Sequence, residues 1–361
     1  LETLHEEEES QQETADARYG LGLVYRQKGS YDAALAEFST ALATYQSLEN
    51  RQSEAKLHIA IGHVENRRNN LDDALDSYRE GLELYRMIGD RAGLGAGLVS
   101  LSQGISAAGN LESANKLLAE AVEIHQALGD LWWQTIDLNE LAINAMLVGM
   151  LDEAGEHLQL GLSLSREIGD ESGVAYALCN LGQIRRDQGR LDEAESLMMQ
   201  GIALAREQAD SVLEANYLMD MALISQACHR DQEAIERAEH SARLYTELDL
   251  EESNLTNLTT LAHCSLRIGK ETNARRFADE AVARLETDDS ASTFPQREYL
   301  TCAIVYRGLG SDEDADECLH TAHRLVEQQA DMFQSDALRR SYIQNLPFNR
   351  QIIDEAPQAE R

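Results

Sequence analysis

The sequence predicts an all-α protein, a right-handed superhelical solenoid of about eight helix pairs that a C-terminal capping helix closes. A large apolar residue followed by a small one recurs every 40 residues, at Leu21-Gly22, Ile61-Gly62, Leu101-Ser102, Leu141-Ala142, Leu181-Gly182, Met221-Ala222 and Leu261-Ala262. Thirteen residues after each large residue stands an alanine: Ala34, Ala74, Ala114, Ala154, Ala194, Ala234 and Ala274. The three prolines all follow these seven repeats, as expected for long helices. Such a period indicates stacked units, each too small to bury its own apolar face.

Residues 1–13 form an acidic N-terminal segment with six glutamates and no lysine or arginine. Such a run fits either a solvated helix start or a linker to an upstream domain. Both interpretations stay open at this point. Since the chain begins at Leu1 without a methionine, we expect it to be a fragment of a longer protein.

Residues 14–334 form the solenoid. In the first pair, periodicity predicts one helix from about Thr14 to Lys28 and a second from Tyr31 to about Leu48. Small residues at the crossing let the two helices approach closely. Between pairs the chain turns at Gly89-Asp90 and its equivalents, where glycine ends a helix and aspartate caps the next. An eighth pair, one residue out of register, follows a polar insertion around Thr287 to Thr293.

The spacing of Leu21-Gly22, Tyr25, Ala34, Phe38 and Ala41 resembles that of the tetratricopeptide repeat, over about nine-tenths of the chain. The chain is similar to the 40-residue variety found in bacterial signalling proteins. This resemblance implies that the first helix of each pair lines a concave groove that binds a protein or peptide. It also implies an upstream nucleotide-binding switch ATPase, DNA-binding domain or cyclase domain.

Residues 335–361 are predicted to form the capping helix and tail, which resemble the segment that often closes such arrays. Leu338, Tyr342 and Ile343 lie at helical spacing and can cover the apolar end of the last repeat. A cap is needed because each unit relies on its neighbour. A separate docking motif is the alternative.

The formal charge of −33, from 64 acidic and 31 basic residues, disfavours direct binding of nucleic acids or anionic membranes. A neutral or basic protein partner is favoured, although acidity can serve solubility alone. No apolar run is long enough to span a membrane. The five cysteines are widely spaced, without a CxxC pair, which predicts unpaired thiols and a cytoplasmic location.

Signatures of catalysis are missing from the sequence. No glycine-rich phosphate loop, GxSxG motif or paired zinc-ligand spacing is present. The adjacent pairs Cys228-His229 and His263-Cys264 lack a second pair at ligand spacing. We therefore predict no catalytic residue, no cofactor and no metal site.

Partner-binding residues are predicted on the first helices, one residue before and two after the large apolar residue, together with the arginines just beyond. The predicted residues are Asn180, Gln183, Arg186, Glu140, Gln103, His63 and Arg67. By resemblance, Asn180, Gln183 and Arg186 would grip peptide backbone or carboxylates. Alternatively, the arginines pair with carboxylates of neighbouring repeats.

The predicted function is a non-enzymatic protein- or peptide-binding module, the sensor or regulatory region of a larger bacterial signalling or transcriptional regulator. One alternative is a stand-alone scaffold or adaptor that self-associates through its end repeats. Another is the interaction array of an enzyme whose catalytic domain lies upstream of Leu1. The gene sequence upstream of Leu1 separates these alternatives.

Overall fold

The computed structural model describes residues 2–287 and 292–355, which contain eighteen α-helices, one short 3-10 helix and no strand. The chain divides after Glu140 into two compact units. The helices of the first unit, the last of which crosses the boundary, are α1 Glu2–Gln27, α2 Tyr31–Ser47, α3 Arg51–Arg67, α4 Leu71–Ile88, α5 Arg91–Ala107, α6 Leu111–Leu128 and α7 Leu131–Leu147.

The second unit contains the remaining helices and the 3-10 helix, Glu251–Asn254, which precedes α13. They are α8 Leu151–Ile168, α9 Glu171–Asp187, α10 Leu191–Glu207, α11 Ser211–Ala227, α12 Asp231–Glu247, α13 Leu255–Arg267, α14 Glu271–Thr287, α15 Pro295–Gly308, α16 Asp312–Met332, α17 Asp336–Gln344 and α18 Pro347–Glu355. The expected all-α solenoid of helix pairs is therefore confirmed.

Packing follows chain order within each unit. Odd-numbered helices up to α15 are the first helices of their pairs. α1, α3, α5, α9, α11, α13 and α15 pack against their own second helices, and all of these except α1 also pack against the preceding second helix. First helices also contact one another directly, as α1 with α3 in the first unit and α9 with α11 in the second. Side chains of one first helix can therefore bond to those of the next.

The alanine column lies at the centre of the helix pairs. All seven alanines, from Ala34 to Ala274, are 0% exposed. The small residue of the first helix faces the second helix, since a Cβ added to Gly22 would lie 2.4 Å from Phe38 Cε1, and one added to Gly182 would lie 2.7 Å from Met198 Cε. These separations are shorter than any carbon–carbon van der Waals contact. The predicted close helix contacts are confirmed.

The Gly-Asp turns have the predicted geometry. Gly89 and Gly169 end their helices in the left-handed conformation, at φ 72°. The following aspartate accepts a hydrogen bond from the amide three residues later, as Asp170 does from Gly173 over 3.0 Å. Two outer turns without glycine adopt the same conformation, with φ of 52° at Glu49 and 55° at Ala209. The turn is kept there at a steric cost, because left-handed φ is unfavourable for residues with a Cβ.

The C-terminal helices pack on the last helix pair. Tyr342 of α17 is buried against the ring of Phe333, with centroids 5.4 Å apart. Gln296 of α15 donates to the Tyr342 hydroxyl over 3.0 Å and to Asn349 Oδ1 over 3.3 Å. Leu338, which the sequence also assigns to this contact, is half-buried. We propose from these contacts that residues 335–355 cap the array.

The segment between α17 and α18 also reaches the turn between α7 and α8. A Cβ on Gly149 would lie 2.9 Å from Asn345 Cβ and 3.2 Å from the backbone nitrogen of Leu346. Leu346 is only 1% exposed. At the equivalent turn glycine Gly189, an added Cβ would meet no atom within 4 Å. The tail therefore contacts a helix pair far from its own position in the sequence.

The acidic N-terminal segment is helical in the structure, whereas the polar insertion before the eighth pair is described only in part. Residues 2–13 belong to α1, which favours a helix start over an unstructured linker. Most of the predicted insertion around Thr287 to Thr293 lies outside the described residues. None of the helices within residues 2–287 and 292–355 is both long and apolar enough to cross a membrane.

Candidate partner-binding face

Polar side chains of successive first helices bond to one another in a row that we call the first-helix seam. Its members in the first unit are His63, Ser100, Gln103 and Glu140. Gln103 Nε2 donates to Glu140 Oε1 over 2.8 Å. His63 Nε2 lies 3.3 Å from Ser100 Oγ. Both contacts join residues 37 apart. In each, the residue two positions after one large apolar residue contacts the residue one position before the next.

The seam recurs in the second unit. Gln183 Nε2 donates to Asp220 Oδ2 over 2.8 Å, again across 37 residues. Gln226 Nε2 and His263 Nδ1 lie 2.6 Å apart with the same separation in sequence. The columns that the sequence assigns to the inner face thus contact each other from one helix pair to the next.

Arg186 forms ion pairs inside the chain. Its Nη1 lies 2.8 Å from Asp220 Oδ1 and its Nε lies 2.8 Å from Asp187 Oδ1. Burial alone would lower the pKa of Arg186, but these two carboxylates raise it. The side chain is 13% exposed. The pairing considered from the sequence, with a neighbouring repeat carboxylate, is therefore the arrangement observed.

The other predicted residues differ in their surroundings. Asn180 is half-buried on α9, one turn before Gln183. Arg67 is exposed at the end of α3, and it forms no ion pair with the side chains that the structure describes. Its counterpart Arg267 does form one, with Nε 3.2 Å from Asp231 Oδ2. Arg267 also donates to the carbonyl oxygen of Gln226 and contacts His229.

Burial changes the acidity of two seam residues. Desolvation lowers the pKa of His63 to about 4, with further lowering by the charges of Arg26 and Arg67. His63 is therefore neutral at pH 7, and its Nδ1 lies 3.0 Å from the Tyr78 hydroxyl. Desolvation raises the pKa of Glu140, against the hydrogen bond from Gln103. The seam is a polar face whose groups are held in place by one another.

The geometry offers little for chemistry. The described ranges contain no group of three or more His, Cys, Asp or Glu side chains placed to hold a metal ion. All five cysteines are free. Burial raises the pKa of the Cys179 thiol, which donates to Asp220 over 3.7 Å. A thiol kept protonated in this way is a poor nucleophile.

The sequence prediction missed the seam residue Gln226 and its counterpart Arg26. Arg26 and Gln226 stand five residues after the large apolar residue, in the column of Arg186. The presence of Arg186 in that column was the available signal. The helical projection does not extend this signal to the other repeats, because it does not indicate which neighbouring helix a long side chain reaches.

Comparisons with known proteins found a family match for two segments of the sequence and solved structures with a similar fold. Residues 13–87 and 134–207 match the sequence model of a family described as tetratricopeptide repeat. No curated protein matches the sequence.

Three solved structures show a similar fold. One, from Pyrococcus horikoshii, is a signal transduction ATPase with numerous domains and a tetratricopeptide repeat sensor; it is 17% identical, with a TM-score of 0.58 over 91% of this chain and 50% of that one. This chain therefore spans about half the length of that protein.

The other two are Rap proteins. A Rap protein complexed with Competence and Sporulation Factor is 14% identical, with a TM-score of 0.63 over 89% of this chain and all (100%) of that one. A Rap conjugation gene regulator in complex with a Phr peptide is 16% identical, with a TM-score of 0.59 over 75% of this chain and 73% of that one. At these identities the likeness concerns the fold.

Proposed function

We propose that the chain, two segments of which match the tetratricopeptide repeat model, is a non-catalytic module that binds an extended peptide or protein segment on the face of its first helices. In the first unit a partner segment would contact Gln103 and Glu140, and in the second unit it would contact Asn180 and Gln183. His63 and Arg67 would extend this surface toward the N-terminus. We further propose that the module is the sensor or regulatory region of a larger regulator.

The first-helix seam is the observation that carries this proposal. An extended peptide exposes backbone N–H and C=O groups that need partners when they leave water. Within each unit the seam offers amide, carboxylate and imidazole groups at a repeated spacing on neighbouring first helices. Since Gln103–Glu140 and Gln183–Asp220 are already bonded, their orientations are set before a partner arrives, which lowers the entropy cost of binding.

The fold comparisons support the same function. One relative is described as a sensor within a signalling ATPase, and another is described in complex with a peptide. The net charge of the chain also favours some partners over others. A net charge of −33 favours association with partners that are neutral or basic over most of their length.

A random peptide library, selected on the full chain, tests the proposal. We expect peptides whose affinity falls about tenfold when Gln183 or Gln103 is replaced by alanine, the amount that corresponds to about 1.4 kcal/mol. The matched control is Gln200→Ala, a glutamine exposed on α10, the second helix of the pair that carries Gln183. Circular dichroism checks that each variant keeps its helicity.

The outcomes separate clearly. Peptides that lose affinity for the seam variants and keep it for Gln200→Ala support binding at the first helices. Selected peptides that bind all three variants equally would remove the seam as the site. A library that yields no binder would contradict the proposal as a whole.

The place of the module in a larger regulator needs a different measurement. The gene is sequenced upstream of the codon for Leu1. A phosphate-binding loop, a helix-turn-helix or a cyclase domain there supports a regulatory region. An initiator methionine within a few codons of Leu1 contradicts it and favours the stand-alone scaffold.

A further inference from the structure

The N-terminal helix α1 exposes a row of small and apolar residues, which we call the α1 stripe. It consists of Ala17, Gly20, Leu21 and Val24, which lie on one side of the helix. Leu21 is 41% exposed and Val24 is 45% exposed. A Cβ added to Gly20 would meet no atom within 4 Å. Adjacent exposed apolar residues of this kind mark interaction surfaces.

The same columns are covered in every later repeat. The residues equivalent to Ala17 and Val24 are buried in each of them. They are Leu57, Gly97, Asp137, Ala177, Tyr217 and Asn257 in the column of Ala17, and Val64, Gly104, Asn144, Ile184, Ile224 and Cys264 in the column of Val24. The α1 stripe is therefore a surface that the repeat normally buries.

Helix α5 shows what buries it. A Cβ on Gly97 would lie 2.8 Å from Leu82 Cδ2, and one on Gly104 would lie 3.0 Å from Leu75 Cδ2. Both leucines belong to α4, the second helix of the preceding pair. Within residues 2–287 and 292–355, α1 has no preceding second helix. The α1 stripe thus has the shape of a helix-binding surface without its helix.

The α1 stripe is complementary to a second copy of itself. Its centre lies between Gly20 and Leu21, with Ala17 and Val24 at equal distances on either side. In two antiparallel copies, Ala17 would therefore lie opposite the partner's Val24, and Gly20 opposite the partner's Leu21. Each pair joins a small residue to a larger one, which lets two helices approach closely.

Charges at the two ends of the stripe favour the same arrangement. Glu13 stands four residues before Ala17, and Lys28 stands four residues after Val24. Both are exposed. In the antiparallel pair each Glu13 lies opposite the partner's Lys28, so the contact is formed twice. A parallel pair would bring the two Glu13 carboxylates together, and charge complementarity therefore selects the antiparallel orientation.

We infer that two copies of this chain associate through their α1 stripes, antiparallel and related by a two-fold axis. This inference goes beyond the proposed function and does not depend on it. A contact that uses the same surface on both copies closes at the dimer. Stacking α1 on the C-terminal end of another copy is disfavoured, because α17 and α18 already cover α15 and α16 there.

Sedimentation equilibrium of the full chain tests the dimer. One helix on one helix is a small interface, so we expect a weak dimer with a dissociation constant of about 10 μM. Leu21→Arg should weaken it about a hundredfold, because the dimer contains the substitution twice. The matched control is Leu160→Arg, a leucine of α8 that is 53% exposed. Salt at about 0.15 M screens the repulsion between two acidic copies.

Charge exchange tests the orientation. Glu13→Lys and Lys28→Glu each place like charges opposite one another at both ends, and each should weaken the dimer about tenfold. A mixture of the two variants restores an opposite pair at both ends of the mixed dimer. We expect this mixture to associate as strongly as wild type. Circular dichroism checks that every variant keeps its helicity.

Three results would overturn the inference. The first is a wild-type chain that stays monomeric up to about 1 mM, which would leave the α1 stripe to a helix from another protein or segment. The second is a dimer that Leu21→Arg weakens no more than Leu160→Arg does, which would place the contact elsewhere. The third is a mixture of the charge variants that associates no better than either variant alone.

Discussion

Arg186 and Asp220 join two consecutive first helices through an ion pair of 2.8 Å between Nη1 and Oδ1. The two residues are 34 apart in sequence, and their side chains are 13% and 4% exposed. A buried ion pair adds little net stability, but the loss of one partner leaves the other charge desolvated and unpaired. Arg186 thus contributes to the junction between helix pairs as well as to the polar face.

Replacing Arg186 by alanine should lower the free energy of unfolding by about 3–5 kcal/mol, because Asp220 is then buried without its main counter-ion. Urea denaturation measures the change. Arg190→Ala is the control, since that arginine is 50% exposed and pairs with the equally exposed Glu193 in the first turn of α10; its loss should cost under about 1 kcal/mol. Equal losses for the two variants would contradict the structural role of Arg186.

Gly201→Ala should destabilise the second unit by about 1–3 kcal/mol through overpacking. A Cβ at this position would lie 2.2 Å from Tyr217 Cζ, and Tyr217 is 0% exposed. Gly155→Ala is the matched control on α8, because its Cβ would meet no atom within 4 Å. There alanine should stabilise the helix by up to about 1 kcal/mol. Melting temperatures that shift in the same direction for both variants would contradict the close contact between Gly201 and Tyr217.

Gly149→Ala should release the tail. The matched control is Gly189→Ala, since both glycines have left-handed φ, 73° and 76°, and alanine costs each about 1–2 kcal/mol. Only at Gly149 would the added Cβ also displace Asn345 and Leu346. Limited trypsin digestion at Arg350 should therefore speed up in the first variant alone. Equal cleavage rates would mean that the tail does not depend on this contact.

The neutral His63 should make stability depend on pH. Its pKa is about 4 in the folded chain, against an ordinary value of 6.5, so the unfolded chain takes up a proton first as pH falls. The stability that the neutral form contributes is complete above pH 6.5 and is lost as pH falls toward 4. Burial is the main cause of this lowered pKa, and the charges of Arg26 and Arg67 add to it. The Tyr78 hydroxyl also faces the imidazole, 3.0 Å from Nδ1.

His63→Gln should remove this dependence. The difference in unfolding free energy between wild type and variant, measured at matched pH values, should change by about 1–3 kcal/mol between pH 6.5 and 4. The contributions of all other titrating groups to the unfolding free energy cancel in that difference. A constant difference over this range would show that His63 titrates equally in the folded and unfolded chains.

Much of the fold is predictable because the contacts that define it lie within one period. The large apolar residue, the small residue after it and the alanine of the second helix are all near in sequence, so their spacing encodes their contact. The helix bounds of the first pair differ from expectation chiefly at the N-terminus, where α1 begins at Glu2. The turns at Glu49 and Ala209 keep the geometry without glycine, which a residue pattern does not reveal.

The site is less predictable because its contacts cross between periods. The helical projection places Gln103 and Gln183 two residues after their large apolar residues, but it does not indicate that they bond to Glu140 and Asp220 of the next helix pairs. That depends on the rotation of one first helix against the next. The bond between Arg186 and Asp220 joins residues 34 positions apart, and only the structure brings these two side chains together.

The contact between Gly149 and the tail bears on how the second unit forms during synthesis. In a stack of repeats, each helix pair can complete its contacts as soon as the next pair has emerged from the ribosome. The turn between α7 and α8 must instead wait for Asn345 and Leu346, which follow Gly149 by 196 and 197 residues. The second unit therefore has one contact of high sequence separation, so its final packing should be cooperative and late, while its other helix pairs fold in order.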